Sequence, residues 1–146
     1  MSILKDFDKE KKNTEYPDSW IYTSLGDIAK VQRGASPRPI SSSRWFSEEK
    51  KVGWVRISDI TDSDGKNLLK TKDYLSQDGI KRSRFLPAGS LIMSIAATVG
   101  VPVITRFDTC IHDGFVGLTN LQVDQNFLFY KLKDIESKLI KDGQTG

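Results

Sequence analysis

The fold is decided by residues 86–118, which read LPAGSLIMSIAATVGVPVITRFDTCIHDGFVGL. Three apolar runs in this stretch, Leu91–Ile95, Val99–Ile104 and Phe115–Leu118, alternate with glycine, proline and aspartate residues that favour turns. Each run is too short for a helix with its own core-facing side, and the many valines and isoleucines favour strands. We therefore predict that the runs are buried strands at the centre of a sheet, with the rest of the chain packed around them.

Length and composition indicate one domain. The chain has 146 residues, of which 38% are hydrophobic, and its mean hydropathy of −0.39 is typical of a soluble globular protein. No apolar run reaches the roughly 18 residues of a membrane span, and the N-terminus lacks the apolar region of a signal peptide. The single cysteine is compatible with a reducing compartment. We predict a cytoplasmic protein with a charged N-terminal arm at 1–16 and a single domain at 17–146.

The basic residues are concentrated in the middle of the chain. Residues 30–106 contain fourteen Lys/Arg and seven Asp/Glu, whereas residues 1–29 and residues 107–146 each contain four Lys/Arg and six Asp/Glu. A basic region between acidic ends suits a polyanion-binding surface, because phosphate neutralisation and counterion release supply most non-specific affinity for nucleic acids. Solvated surface lysines would give the same composition, so charge alone leaves both interpretations open.

Local patterns predict the remaining elements. We expect a helical turn at 25–29, a strand at 30–34, an irregular loop at 35–43 (ASPRPISSS), a strand at 52–57 and a turn-rich loop at 58–66. One clear helix is predicted to begin at Asp124, a favourable N-cap residue, and to end at Gly143. Its core-facing stripe has spacings of four, three and four residues and consists of Leu128, Leu132, Ile135 and Leu139.

Arginine, lysine and hydroxyl side chains on or beside the predicted loops are the candidate DNA-binding residues. Lysines can position a protein on phosphates, arginines can form two hydrogen bonds with guanine, and hydroxyl groups can add further contacts. The candidates are Arg33, Ser36, Arg38, Ser42, Arg44, Lys66, Lys70, Lys81, Arg82, Arg84, Thr98 and Arg106. A protein-interaction module whose basic surface meets an acidic partner remains an alternative interpretation.

Another alternative is a metal-dependent nuclease that uses Asp59, Asp64 and Lys66. In such enzymes carboxylates hold the metal and a lysine stabilises developing negative charge. The spacing here is short, and Asp64–Gly65 is also a favoured turn dipeptide. This interpretation therefore stands second to DNA binding without catalysis.

Other catalytic or cofactor-binding patterns are scarce. Cys110 and His112 are two positions apart, but the sequence has no second histidine or cysteine to complete a zinc site. A structural role for His112, hydrogen-bonded near Asp113, is the favoured interpretation. Neither GxGxxG nor GxxxxGK[ST] occurs, so nothing indicates a nucleotide cofactor. We expect no catalytic residue, no metal site and no cofactor in this chain.

Several short motifs follow one another along the chain, and they cover nearly the whole folded part. They are Trp20, LGDIA (25–29), RGASP (33–37), GWVRISDI (53–60), LPAGSLIMSIAATVG (86–100), GFVGL (114–118), FLFYKL (127–132) and GQTG (143–146). Each motif is weak alone, but their order and spacing together are specific. In this order and spacing the sequence resembles the target-recognition domain of the DNA-specificity subunit of Type I restriction-modification systems.

The resemblance implies an α/β (α+β) fold with a twisted, mostly antiparallel sheet and a few peripheral helices. It also implies a non-catalytic subunit in which two such domains, joined by helical spacers, each read half of a bipartite double-stranded DNA site. Methylation and cleavage would be performed by partner methyltransferase (M) and restriction/motor (R) subunits, to which S-adenosylmethionine, ATP and Mg²⁺ belong. The sequence departs from the family pattern by stopping near the expected spacer, which is the pattern of a fragment or a half-length subunit.

Overall fold

The described part of the chain forms short strands and helices around the stretch quoted above. The computed structural model describes residues 24–96 and 100–145, with residues 138–145 described by their backbone only. The strands in these ranges are β1 (Lys30–Arg33), β2 (Phe46–Ser47), β3 (Gly53–Val55), β4 (Asn67–Leu68), β5 (Asp73–Leu75), β6 (Arg84–Leu86), β7 (Leu91–Ser94), β8 (Pro102–Thr105), β9 (Thr109–Ile111) and β10 (Phe115–Thr119). The α-helices are α1 (Leu25–Ile28), α2 (Ile57–Thr61), α3 (Gln77–Lys81) and α4 (Gln125–Thr145), and Ser43–Trp45 form a 3-10 turn.

The strands divide between two five-stranded sheets. Sheet A has the order β1-β10-β7-β8-β4, and sheet B has the order β2-β5-β3-β9-β6. Neighbouring strands are antiparallel except for the pairs β4–β8 and β3–β9. The predicted α/β (α+β) class and the predominance of antiparallel pairing are confirmed, and the three apolar runs form the central strands of sheet A. The difference from the prediction is that the strands form two sheets where one was expected.

Sheet A is covered on both faces, which explains why its central strands are mainly apolar and buried along nearly their whole length. Alternate side chains of β7 point in opposite directions, so Leu91 and Met93 pack against α4 while Ile92 packs against sheet B. Helix α4 contributes Leu128 and Leu132 to the core that contains Leu91 and Met93. The helical stripe read from the sequence is therefore confirmed for its described members, which are Leu128, Leu132 and Ile135.

The predicted loop at 58–66 was wrong in its first part, where α2 (Ile57–Thr61) forms. The Asp59 carboxylate accepts hydrogen bonds from the backbone N–H of Arg56 (2.9 Å) and from the backbone N–H of Lys72 (3.0 Å). The first bond joins residues three positions apart, but arginine is not a typical N-cap residue and the second donor lies thirteen residues away, so the usual capping pattern did not indicate a helix here.

Helix α4 begins as predicted and continues past its predicted end. The Oδ1 atom of Asp124 accepts a hydrogen bond from the backbone N–H of Phe127 at 2.9 Å, the geometry of an N-cap. Gly143 does not end the helix, which continues to Thr145. The predicted N-terminal arm at 1–16 lies outside the described residues. No helix in the described ranges combines the length and apolar character needed to cross a membrane.

Candidate nucleic-acid interface

A close approach of two backbones at Gly34 brings distant segments together. The N–H of Gly34 donates to the carbonyl of Phe115 (3.0 Å), and the N–H of Ala35 donates to the carbonyl of Ile111 (3.0 Å). A side chain at position 34 would overlap the carbonyl of His112, so only glycine permits this approach. The loop 35–43 is thereby fixed against the turn between β9 and β10.

Polar contacts join this loop to the turn. The Ser36 hydroxyl donates to Oδ1 of Asp113 at 3.2 Å, and the Arg38 guanidinium lies 3.5 Å from Oδ2 of the same carboxylate. Arg38 is 80% exposed. An exposed ion pair contributes little to stability, so a phosphate can replace the carboxylate at small cost. Two predicted DNA-binding residues, Ser36 and Arg38, therefore meet at one place.

A cleft of about 720 Å³ opens beside this contact. Its floor includes the aromatic rings of Trp54, His112 and Phe115, in which the His112 ring centroid lies 5.6 Å from that of Trp54 and 4.9 Å from that of Phe115. Ile40 and Ile57 line the cleft while remaining 41% and 48% exposed. The cleft is thus mainly apolar, with charged groups on its lining.

Arg56 supplies a second guanidinium to the cleft. It forms an ion pair with Asp73, and its guanidinium carbon lies 5.9 Å from the centroid of the Phe46 ring. Sequence reasoning missed this arginine, because it was part of a predicted strand and not of a loop. Only the pairing of β3 with β9 places it near His112.

His112 is held in its neutral form by its surroundings. Burial among the rings lowers its pKa below the usual 6.5, Arg56 adds to this effect and the Asp113 carboxylate opposes it. Nδ1 accepts a hydrogen bond from the backbone N–H of Gly114 at 2.9 Å. The structural role predicted for His112 is thus seen, with Gly114 as the hydrogen-bond partner.

We expect the lowered pKa of His112 to make the folded protein less stable in mild acid. The unfolded chain binds a proton near pH 6.5 and the folded chain binds it only at lower pH, so the free energy of unfolding should decrease as the pH falls below about 6.5. Since His112 is the single histidine, its imidazole NMR signal can be followed without ambiguity. A His112→Asn variant should show a weaker pH dependence between pH 7.5 and 5.5. An imidazole that titrates at or above pH 6.5 would contradict this expectation.

Trp45 brings together two more predicted DNA-binding residues. The guanidinium carbon of Arg44 lies 4.8 Å from the centroid of the Trp45 ring, and that of Arg82 lies 5.2 Å from it. Arg44 also pairs with Asp78 at 3.4 Å. The two arginines are 38 positions apart in sequence, and α3 and the 3-10 turn bring them to one ring.

Arg33 and Arg84 lie at the neighbouring ends of the two sheets. Nε of Arg84 donates to the carbonyl of Arg33 at 3.2 Å, and the Ser83 hydroxyl donates to the carbonyl of Ala35 at 2.8 Å. The segment 82–84 therefore touches both the end of β1 and the loop 35–43. We refer to Arg33, Arg38, Arg44, Arg82 and Arg84 together as the arginine cluster.

Lys66 and Arg106 lie apart from the arginine cluster. The ammonium of Lys66 is 3.0 Å from the Tyr130 hydroxyl of α4, and Nε of Arg106 donates to Oδ1 of Asn67 at 2.7 Å. Both residues flank the β4–β8 edge of sheet A, whereas Arg33 ends β1 at the opposite edge. Four strand spacings, or about 19 Å, separate those edges.

The remaining candidates have different surroundings. Lys70 and Lys81 are exposed, with Lys81 at the end of α3. The Ser42 hydroxyl accepts the backbone N–H of Arg44 at 3.3 Å and so caps the 3-10 turn. Thr98 lies outside the described residues.

The carboxylates of the nuclease alternative are engaged by the backbone. Asp59 is buried and accepts the two N–H groups named above, while Asp64 accepts N–H groups of Lys66 (2.8 Å) and Asn67 (2.6 Å). The bonds from Asn67, followed by the one from Lys66, lower the pKa of Asp64. Among the residues that the structure describes, no three His, Cys, Asp or Glu side chains form a group that could hold a metal ion. No observation here therefore favours the nuclease alternative.

Two solved structures resemble this fold over nearly the whole chain. A chain from a study of complex assembly and conformational transition of the type I R-M system superposes with a TM-score of 0.68, at 19% identity over 93% of this chain. The HsdS subunit from Thermoanaerobacter tengcongensis superposes with a TM-score of 0.66, at 19% identity over 94% of this chain. Both are HsdS specificity subunits of Type I R-M systems.

This chain spans about a third of each of those chains, 34% in both cases. No family model matches the sequence. The resemblance stated from the sequence motifs is therefore confirmed at the level of the fold.

Proposed function

We propose that this chain is a target-recognition domain of the DNA-specificity subunit of a Type I restriction-modification system. In this proposal it binds one half of a bipartite double-stranded DNA site by its sequence. The fold shared with two HsdS subunits supports the proposal, and the arginine cluster is the observation that carries it. Five arginines from four segments of the chain lie in or beside the loop 35–43, which suits recognition of phosphates and guanine edges.

The cluster combines the two kinds of contact that DNA recognition needs. Arg38 and Arg44 are exposed and their ion pairs are with surface carboxylates, so DNA phosphates can compete for them. Arg82 and Arg84 lie on a segment attached to the loop 35–43 and are suited to bidentate bonds with guanine. Ser36 adds a hydroxyl group close to Arg38.

The cleft would add apolar contacts beside these polar ones. Ile40 and Ile57 present partly exposed aliphatic side chains on its lining. Such side chains can contact the methyl group of thymine, which distinguishes that base in the major groove. Arg56 would strengthen the positive potential at the same place.

The lysines, and the basic residues at the β4–β8 edge of sheet A, would contribute further phosphate contacts. The phosphate contacts predicted for Lys66, Lys70, Lys81 and Arg106 remain predictions. Lys81 is adjacent to Arg82, whereas Lys66 and Arg106 lie at the distant edge of sheet A. If they contact DNA, the bound duplex extends beyond the arginine cluster.

We further propose that the domain has no catalytic role of its own and acts in the cytoplasm. It would direct partner M and R subunits to a DNA site, with S-adenosylmethionine, ATP and Mg²⁺ bound by those partners. The chain itself would need no cofactor to bind DNA.

The proposed function can be tested by selecting bound duplexes from a random pool. We expect an enriched short sequence, with affinity for it that falls linearly on a log–log plot against salt with a slope of about −0.9 per phosphate contacted. The matched control is a duplex of the same composition with the selected bases scrambled. Equal affinity for both duplexes would contradict sequence-specific recognition, and DNA cleavage in the presence of Mg²⁺ would favour the nuclease alternative.

A further inference from the structure

Trp45 connects three segments of the arginine cluster although it is only 3% exposed itself. Its indole N–H donates to the carbonyl of Pro39 at 2.8 Å, which fixes the loop 35–43. Its carbonyl accepts the backbone N–H of Ser76 at 2.8 Å, at the start of α3. Each of these two hydrogen bonds involves a backbone atom of another segment, so the position of the Trp45 ring is strongly constrained.

Helix α3 packs against Trp45 without an intervening side chain. A Cβ atom at Gly79 would overlap the carbonyl of Trp45, so glycine is needed for this close approach. The Ser76 hydroxyl also donates to the carbonyl of Arg44 at 2.7 Å. The turn that follows α3, where Arg82 lies, is therefore placed directly beside the indole ring.

The ring in turn carries the guanidinium groups of Arg44 and Arg82. A guanidinium held near an aromatic ring is attracted by the ring's negative face and retains its hydrogen-bonding edge for another partner. Arg44 is held additionally by Asp78. For Arg82, the indole is the one aromatic or charged partner that we find among the described residues.

We propose that Trp45 is a positioning residue for base recognition, which holds Arg82 and Arg44 in the orientation they use on DNA. This inference rests on the proposed function. Binding DNA with a free arginine requires ordering a long side chain at the moment of contact, whereas a guanidinium already held on a ring loses less freedom. Such a preordered guanidinium can form two hydrogen bonds with guanine only in a fixed geometry, so Trp45 contributes to sequence preference more than to total charge.

The test compares sequence preference with salt dependence in variants that keep every positive charge. In Trp45→Leu, we expect the ratio of affinities for selected and scrambled duplexes to fall about tenfold, while the slope of log affinity against log salt stays within about 0.3 of the wild-type slope. Trp45→Phe keeps a smaller ring but loses the bond to Pro39, and should give an intermediate ratio. All measurements are made at a temperature at which thermal unfolding shows each variant to be folded.

Leu132→Ala is the matched control, because Leu132 is equally buried but belongs to α4, where it packs in the core against sheet A. We expect it to lower the melting temperature without changing the affinity ratio. A purely structural role for Trp45 would give the same result as this control, namely lower stability with an unchanged ratio, and would overturn the proposal.

Arg82→Lys keeps the test decisive if Trp45→Leu does not fold. Lysine preserves the charge but cannot present a planar, two-donor edge above the indole. We expect a lowered ratio with an unchanged salt slope, and a ratio equal to that of the wild type would overturn the proposal. If the wild-type protein itself shows no preference for any duplex, the proposed function fails first, which is a different outcome from an unchanged ratio in the variants.

Discussion

Replacing Gly34 with alanine is expected to lower the free energy of unfolding by about 3 kcal/mol, as overpacking against fixed atoms does. The added methyl group would overlap the carbonyl of His112 and lie 2.6 Å from the carbonyl oxygen of Ile111. Both obstacles are backbone atoms. They cannot move without stretching the bonds from Gly34 to Phe115 and from Ala35 to Ile111. The substitution would also disturb the candidate site, because the same hydrogen bonds attach the loop 35–43 to the turn at 112–114.

Urea unfolding measures this effect, and Gly26→Ala is the control. Gly26 lies in α1 and an added Cβ there meets no atom within 4 Å. Alanine is the better helix former by up to about 1 kcal/mol, so this control should be neutral or slightly stabilising. If Gly34→Ala unfolded at the same urea concentration as the wild type, the close approach would be absent in solution.

The core strands could be predicted from sequence because their environment is uniform. Side chains of β7, β8 and β10 are buried on both faces, so continuous apolar runs identify them regardless of which face meets which neighbour. The N-cap at Asp124 was also predictable, because its hydrogen bond joins residues three positions apart. Such local interactions leave a direct trace in the sequence.

The division of the strands into two sheets could not be predicted from local sequence patterns. Apolar alternation tells which side chains are buried but not whether Ile92 packs on a helix or on a second sheet. The parallel pairs β3–β9 and β4–β8 join segments that are separated by dozens of residues. The helix at Ile57–Thr61 was missed because Arg56 is an atypical N-cap residue and because Asp59 is also bound by the distant backbone N–H of Lys72.

The candidate site shows the same limit. Charge and loop composition identified the members of the arginine cluster, but nothing in the sequence separates Arg33 from Arg106, which the strand order of sheet A places at opposite edges. The contact of Arg82 with the ring of Trp45 depends on the packing of α3, which local sequence does not show. The clearest available signal was Gly79, a glycine inside a helix, which usually indicates close packing.

Reversing two charges of the arginine cluster is expected to weaken DNA binding by at least about a hundredfold. The variant is Arg38→Glu with Arg82→Glu, which removes one contact from the loop 35–43 and one from the adjoining segment 82–84 and replaces attraction to DNA with repulsion. Each lost contact is worth about 1–3 kcal/mol, and a factor of ten corresponds to about 1.4 kcal/mol. Losing the phosphate contact proposed for Arg38 should also reduce the salt slope by about 0.9.

The control reverses Lys66 and Arg106 together, which changes the net charge by the same amount at the distant edge of sheet A. At moderate salt, charges beyond about 10 Å from the bound duplex are screened, so we expect affinity to fall by less than about tenfold. Measuring both variants by titration with the selected duplex, after checking their folding by circular dichroism, separates local recognition from overall charge. An equal loss in the two variants would mean that the duplex spans both edges or that net charge alone drives binding. Either result would contradict the proposal that the arginine cluster is the main DNA-binding site, because two basic residues at another edge would then contribute as much to the affinity.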